Sequence, residues 1–237
     1  LGLLVEALSD LSMAWAGEGA KQSSTVRVAL NCKLAATDSL PLSQIAQISQ
    51  AMAHLMTFGD TDHDDRNEVI LSFFDQDQNC CFYRILEEQG NNTYTQVYAG
   101  ASLFPFSTGD LDQDGKCEII GQDGYQLRVY ESVDTASYPT QLVWSATTTS
   151  NSFGSTTVAD TDRDGKMEII HDSFFAGSGY LTIYENTGDN TYSLVLSRAT
   201  GPGGNGELVI ADFDGDDLTE IAFASPHFGR VYESPGD

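Results

Sequence analysis

Four short stretches of the chain carry acidic residues at the same alternating spacing. Counted from the first aspartate of each stretch, acids stand at positions 1, 3, 5 and 9 in all four copies. The four sets are Asp60, Asp62, Asp64 and Glu68; Asp110, Asp112, Asp114 and Glu118; Asp160, Asp162, Asp164 and Glu168; and Asp212, Asp214, Asp216 and Glu220. Carboxylates at alternate positions of a tight loop converge on one point, where about six to eight oxygen ligands can surround a hard cation. The spacing therefore predicts up to four metal sites, one in each of loops one to four (residues 60–68, 110–118, 160–168 and 212–220).

Calcium, Ca²⁺, is the cation that these donors favour. Its ligands are oxygens at about 2.3–2.6 Å in a flexible geometry, and a backbone carbonyl at position 7 adds a further ligand. Magnesium requires octahedral geometry and keeps its waters, whereas transition metals prefer histidine or cysteine, which the four acid positions lack. An EF-hand loop requires a bidentate glutamate at position 12, where this chain has Leu71, Gly121, His171 and Phe223. The alternative interpretation is a set of solvated aspartate-rich turns, which the fourfold repetition of the pattern disfavours.

The overall charge agrees with this concentration of acid. The 237 residues include 35 Asp and Glu against 11 Lys and Arg, for a formal net charge of −24, and the four loops hold 18 of those 35 acids. Four bound Ca²⁺ would bring the formal charge from −24 to −16. Such a charge argues against binding to nucleic acid or to an anionic membrane surface. No run of about 18–20 apolar residues is present, so the sequence predicts no membrane span.

The acidic stretches recur at a period typical of β-propeller blades. Their first aspartates are Asp60, Asp110, Asp160 and Asp212, so the repeat advances by 50, 50 and 52 residues. An aliphatic run follows each stretch, and after it comes a second strand-like phrase. These phrases end at Glu87, Glu131, Glu185 and Glu233. Strand-forming runs separated by Gly, Asn and Asp predict four antiparallel strands in each repeat of about 50 residues, and hence an all-β fold.

The four stretches resemble FG-GAP/VCBS repeats, the calcium-binding β-propeller blades of integrin α-subunits and of many bacterial secreted proteins. The resemblance covers residues 51–237 and implies an all-β propeller of four-stranded antiparallel blades. It also implies that the acids at positions 1, 3, 5 and 9 are side-chain ligands in loops of the form DxDxDGxxD/E. The implied carbonyl ligands at position 7 belong to Arg66, Lys116, Lys166 and Leu218. Two loops depart from the pattern at position 6, where Asp65 and Asp217 replace the glycine, although aspartate tolerates a left-handed backbone better than most residues.

Residues 1–50 lack the acidic phrase and form a separate N-terminal segment. Apolar residues at helical spacing predict a helix over residues 1–15, residues 25–31 read as a strand, and residues 41–50 fit a helix or a strand. In the fourth repeat the chain ends before the outer strand that the third repeat has. Because residues 25–32 share their pattern of Thr and aliphatics with residues 191–198, we expect this N-terminal strand to complete the last blade. The completion is expected within one chain or across two, and the second arrangement would produce a homo-oligomer or filament.

The sequence contains no motif typical of a catalytic site. The histidines His54, His63, His171 and His227 share no repeat position, and no GxSxG, Walker or GxGxxG phrase is present. The four cysteines lack CxxC spacing, which leaves disulfides and buried thiols open. Tyr130, Tyr184 and Tyr232, at equivalent positions of the repeat, are expected to pack between blades. We therefore expect that the protein is not an enzyme.

These observations favour an extracellular or cell-surface protein. We expect a calcium-binding β-propeller that serves as a structural or adhesive protein-interaction module. Calcium sites of the extracellular type, with a Kd of about 10⁻⁴–10⁻³ M, fill only outside the cytoplasm. The alternatives are a self-assembling fibre or surface subunit joined by strand exchange, and a carbohydrate-binding module of a secreted polysaccharide-acting protein. The identity of the protein or glycan ligand stays open.

Overall fold

The computed structural model describes residues 51–75, 80–100, 102–149, 155–175, 178–201, 208–224 and 229–234. These residues form β-strands in four antiparallel sheets, and no helix occurs among them. The prediction of an all-β fold is confirmed for this part of the chain. The predicted N-terminal helix and the predicted strand at residues 25–32 lie outside it. Accordingly, the described residues include no helix that could cross a membrane.

The first two sheets each contain four strands in sequential order. The first sheet consists of β1 (Ala51–Gly59), β2 (Glu68–Asp75), β3 (Cys80–Glu88) and β4 (Tyr94–Ala99). The second consists of β5 (Phe104–Gly109), β6 (Glu118–Asp123), β7 (Gln126–Ser132) and β8 (Pro139–Thr147). Each strand pairs with the next one along the chain, as in a β-meander, so every connection within a sheet is short.

The third and fourth sheets repeat this order. The third sheet consists of β9 (Thr156–Ala159), β10 (Glu168–Phe175), β11 (Ser178–Gly188) and β12 (Thr191–Gly201). The fourth consists of β13 (Leu208–Ala211), β14 (Glu220–Ala224) and β15 (Gly229–Glu233). Four-stranded repeats are thus confirmed for three sheets, and the described part of the last sheet has three strands.

The register places each acidic loop between the first and second strands of its sheet. The glutamate at position 9 is the first residue of the second strand, and it pairs directly with the glutamate near the end of the third strand. These pairs are Glu68 with Glu87, Glu118 with Glu131, Glu168 with Glu185, and Glu220 with Glu233. Each sheet therefore brings two glutamates to the end at which its acidic loop lies.

Consecutive sheets pack face to face through apolar cores. Ile70, Tyr83 and Ile85 of the first sheet meet Ile119 and Tyr130 of the second. Equivalent cores join the second sheet to the third and the third to the fourth. The first strands also contact one another in order, β1 with β5, β5 with β9, and β9 with β13. Complete burial of one isoleucine contributes about 1.5–3 kcal/mol, so these cores stabilise the packing of consecutive sheets. Each acidic loop follows the first strand of its sheet.

The tyrosines at equivalent repeat positions belong to these cores, as predicted. The ring of Tyr130 lies 5.7 Å from that of Tyr83, and the ring of Tyr184 lies 5.1 Å from that of Trp144 in the preceding sheet. Tyr232 packs on the core between the third and fourth sheets. Their role in this structure is packing between repeats.

Candidate metal centres

Each acidic loop gathers four carboxylates whose oxygens lie within 4.8 Å of one another. Loops one, three and four bring together the predicted acids at positions 1, 3, 5 and 9. Loop two brings together Asp112, Asp114 and Glu118 with Glu131, a residue of β7 that the sequence pattern did not include as a ligand. The predicted ligand Asp110 is not in that group, and its Oδ2 accepts a hydrogen bond from Gly115 N at 3.0 Å. The structure thus assembles fifteen of the sixteen predicted acidic ligands into clusters that could hold a metal ion.

Two left-handed residues in each loop produce this convergence. At position 6 the backbone φ is +67° for Asp65, +90° for Gly115, +88° for Gly165 and +72° for Asp217. Position 4 is left-handed too, with φ of +59° for His63, +65° for Gln113, +66° for Arg163 and +81° for Gly215. The two aspartates at position 6 adopt the glycine-like conformation that the resemblance requires. The sequence did not predict a left-handed backbone at position 4, because glycine occupies this position only in loop four.

Backbone amides orient the aspartates in the same way in every loop. The aspartate at position 1 accepts a hydrogen bond from the backbone N of position 6 at 3.0–3.1 Å. The aspartate at position 5 accepts one on Oδ1 from the backbone N of position 7 at 2.8–2.9 Å. Such bonds between a short side chain and the nearby backbone stabilise tight turns. The acidic side chains are therefore held in position by the loop itself.

The glutamate at position 9 of each loop provides the strongest evidence that the cluster could bind a cation. Its Oε2 accepts a hydrogen bond from the backbone N of position 2 at 2.5–2.6 Å in all four loops. Its other oxygen, Oε1, is buried and has no hydrogen-bond partner among the described residues of any repeat. The exposed fractions of Glu68, Glu118, Glu168 and Glu220 are 0%, 0%, 2% and 5%. A buried carboxylate oxygen without a partner carries a high desolvation cost, and a bound cation would offset it.

The electrostatics of the sites agree with this requirement. Burial raises the pKa of Glu118 to about 9 and that of Glu68 to about 6, in spite of the bonds from Leu111 and Thr61 that favour the charged form. Burial also raises the pKa of Glu168 and of Asp112. Neighbouring carboxylates add to each of these shifts. A positive charge nearby would favour the ionised form of these groups.

A comparison with protein families identifies one part of the chain. Residues 110–171 match the family model of the FG-GAP-like repeat. This segment is therefore similar to the FG-GAP-like repeat. The match begins at the first aspartate of loop two and continues past the last glutamate of loop three, so it confirms the resemblance over these two loops. No curated protein matches the chain.

The following repeat contacts the acidic clusters of loops one and two. Asn190, in the turn between β11 and β12, donates its backbone N to Asp112 Oδ2 at 2.6 Å and its Nδ2 to Glu131 Oε1 at 2.7 Å. In the same way Tyr138, which precedes β8, donates its hydroxyl to Glu87 Oε2 beside loop one. The sequence did not indicate Asn190 or Tyr138, because their roles depend on the packing of one repeat against the next.

Cys117 lies directly before Glu118 and is a buried free thiol. Its Sγ lies 3.5 Å from the carbonyl oxygen of Asp60 in the preceding loop. Burial raises the pKa of this thiol to about 11, so the group stays protonated and unreactive at neutral pH. Of the two roles that the sequence left open for its cysteines, Cys117 has that of a buried thiol, and the other three side chains lie outside the described part.

Proposed function

We propose that this chain is an extracellular, calcium-binding module of the β-propeller type, with a structural or adhesive role in protein interaction. One observation carries the proposal. In all four repeats, a group of four carboxylates includes a buried glutamate, one of whose oxygens has no hydrogen-bond partner among the described residues. A divalent cation satisfies that oxygen and compensates the charge, and an all-oxygen donor set suits Ca²⁺.

The propeller architecture is supported by the relation between repeats. Each sheet packs on the next through a core of the same kind, and the first strands lie beside one another in chain order. In a β-propeller the blades are arranged radially with equivalent strands around a central axis. In the proposed arrangement, the packing of each sheet on the next continues around a central axis, as it does between the blades of a propeller.

The proposed ligands follow the clusters. In loops one, three and four they are the acids at positions 1, 3, 5 and 9, and in loop two Glu131 joins Asp112, Asp114 and Glu118. The backbone carbonyls of Arg66, Lys116, Lys166 and Leu218 stay predictions as further ligands. Bound calcium would supply positive charge to these carboxylates, which belong to the loop and to the strand that follows it. The chain's own contribution is to hold the carboxylates together through the left-handed residues and the amide hydrogen bonds of each loop.

Removal of calcium tests the proposal first. A site that holds Ca²⁺ at ten times its Kd stabilises the folded state by about 1.4 kcal/mol, so four sites contribute roughly 5–6 kcal/mol. This contribution is comparable with the whole stability of an ordinary domain. The melting temperature should therefore fall by many degrees when calcium is replaced by EDTA. An identical melting curve in excess calcium and in EDTA would contradict the proposal.

Counting the bound ions tests the ligand assignment. Asp162→Ala should reduce the number of bound Ca²⁺ by one in isothermal titration calorimetry, because Asp162 belongs to the cluster of loop three. Asp123→Ala is the matched control, since Asp123 lies at the opposite end of its sheet and pairs with Arg128 at 2.8 Å. The control should bind as many ions as the parent protein. An Asp162→Ala variant with the parent's stoichiometry would show that the assignment is wrong.

The extracellular location and the binding role have tests of their own. A Kd of about 10⁻⁴–10⁻³ M is expected for extracellular calcium sites, whereas a Kd below about 10⁻⁶ M would allow filling in the cytosol and contradict the proposed location. The interaction role is supported by the FG-GAP-like repeat at residues 110–171. It can be tested on arrays of extracellular proteins and of glycans, each in calcium and in EDTA. Calcium-dependent binding to glycans alone would favour the carbohydrate-binding alternative.

A further inference from the structure

The side chain at position 7 of the acidic loops is positively charged in three repeats and apolar in the fourth. In loop two, Lys116 Nζ lies 2.6 Å from Asp114 Oδ2 and 3.2 Å from Glu131 Oε2. In loop three, Lys166 Nζ contacts Asp164 Oδ2 and lies 3.2 Å from Glu185 Oε1. An ammonium group thus bridges the aspartate at position 5 and the glutamate near the end of the third strand.

Loop one has the same arrangement with a guanidinium group. Arg66 Nη1 lies 2.9 Å from Glu87 Oε1 and 3.5 Å from Asp64 Oδ2. Loop four has Leu218 at this position, and a leucine side chain offers no charge to Asp216 or Glu233. The fourth loop therefore lacks the charged side chain that the other three have at position 7.

The ammonium groups occupy the oxygens that a metal ion would need. Asp114 Oδ1 accepts a hydrogen bond from the backbone N of Lys116 at 2.8 Å, and Oδ2 lies 2.6 Å from the ammonium group of the same lysine. The same holds for Asp164, whose Oδ1 accepts from the backbone N of Lys166 at 2.8 Å. A calcium ion that binds either aspartate through Oδ2 must displace the ammonium group.

We propose that Lys116 and Lys166 are tethered counter-ions that regulate the calcium affinity of their own loops, and that Arg66 has the same role in loop one. Without calcium, the side chain compensates the cluster and stabilises the folded loop. With calcium, it competes for the aspartate and moves towards the strand-end glutamate or the solvent. This inference rests on the proposed calcium function. The four loops differ in solvent exposure. The inference therefore predicts how a substitution changes the calcium affinity of its own loop, and it does not rank the affinities of the four loops.

The decisive variant is Lys116→Met with Lys166→Met in the full chain, because methionine keeps a long unbranched stem without the charge. Calcium binding is measured by competition with a chromophoric chelator, and stability by thermal melting in EDTA. The dissociation constants of two of the four calcium sites should fall by roughly three- to tenfold, because the variant loses the repulsion between a mobile, partly exposed ammonium group and a divalent ion. The melting temperature in EDTA should fall. If the lysines had only a structural role, their replacement would lower both the calcium affinity and the melting temperature in EDTA. A higher calcium affinity together with a lower melting temperature therefore identifies the counter-ion role.

Three further variants control the experiment. Lys116→Arg with Lys166→Arg keeps both charges and should stay close to the parent in both assays. Arg128→Met removes a salt-bridged positive charge at the opposite end of the second sheet and should leave the calcium affinities unchanged. Leu218→Lys adds the missing charge to loop four. It should weaken one calcium site by a similar factor and raise the melting temperature in EDTA.

The outcomes separate this inference from the proposed function. A parent protein that binds no calcium would overturn both. A parent that binds calcium, together with unchanged affinities in the lysine-to-methionine variant, would overturn the counter-ion role and leave the calcium function in place. If the methionine variant does not fold, Leu218→Lys decides, since an unchanged or tighter calcium site in that variant contradicts the inference.

Discussion

Replacement of Glu118 by glutamine should change stability in opposite directions with and without calcium. Glu118 is 0% exposed, its Oε2 accepts the backbone N of Leu111 at 2.5 Å, and its Oε1 has no hydrogen-bond partner among the described residues. Glutamine keeps an oxygen for the bond from Leu111 and places an uncharged amide group where the unpartnered oxygen lies. In the absence of calcium, the variant is therefore relieved of a buried charge. In the presence of calcium, the variant lacks one of the proposed ligands.

The size of the effect follows from the pKa of Glu118, which burial raises from 4.5 to about 9. Between these two values the folded state binds a proton that the unfolded chain has released. The stability that this group contributes is present below pH 4.5 and is lost as the pH rises towards about 9. At pH 7 the loss amounts to about 3 kcal/mol, and at pH 5.5 to about 1.4 kcal/mol. For a protein of this size, about 3 kcal/mol corresponds to a melting shift of roughly 6–12 °C.

The assay is thermal melting of the parent and of Glu118→Gln at pH 5.5, 7 and 8, in EDTA and in excess calcium. In EDTA the variant should melt at a higher temperature than the parent, and the difference should grow with pH. In calcium the variant should melt at a lower temperature. Glu88→Gln, outside the four clusters, should have little effect in either buffer. A variant that melts below the parent in EDTA at pH 8, or a difference that does not depend on pH, would refute the reasoning.

Three other predictions concern positions outside the acidic loops. Burial lowers the pKa of His171 from 6.5 to about 4, so the parent should lose stability as the pH falls from 6.5 to 4, and His171→Gln should show a shallower loss in melting experiments over this range. Asn190→Ala removes the side-chain hydrogen bond from Nδ2 to Glu131 Oε1 in the second cluster and should lower the free energy of unfolding by about 1–3 kcal/mol in urea, and an unchanged unfolding midpoint would exclude this contribution. A Cβ on Gly121 would lie 2.5 Å from the carbonyl oxygen of Phe104, so Gly121→Ala should cost about 1–3 kcal/mol, while Gly229→Ala, with no atom closer than 3.9 Å, should be tolerated.

The sequence alone determined the features of this protein that depend on short stretches of chain. The alternating acids, the left-handed position 6 and the strand-forming runs all act over about ten residues, so their types and spacing predict the loops and the strands directly. The period of 50–52 residues then predicted that these units repeat. The predicted strand at residues 25–32, which was expected to complete the last blade, stays a prediction.

Only the tertiary structure decided how the second site is completed. Glu131 enters the cluster of loop two because β6 and β7 pair in a register that sets it opposite Glu118. Asn190 reaches Asp112 across 78 residues of sequence because the third sheet packs on the second. The burial of Glu118, which leaves one of its oxygens without a hydrogen-bond partner in the described part of the chain, likewise results from packing. A contact between distant residues depends on how side chains of whole sheets fill a shared core, and no spacing within one repeat contains that information.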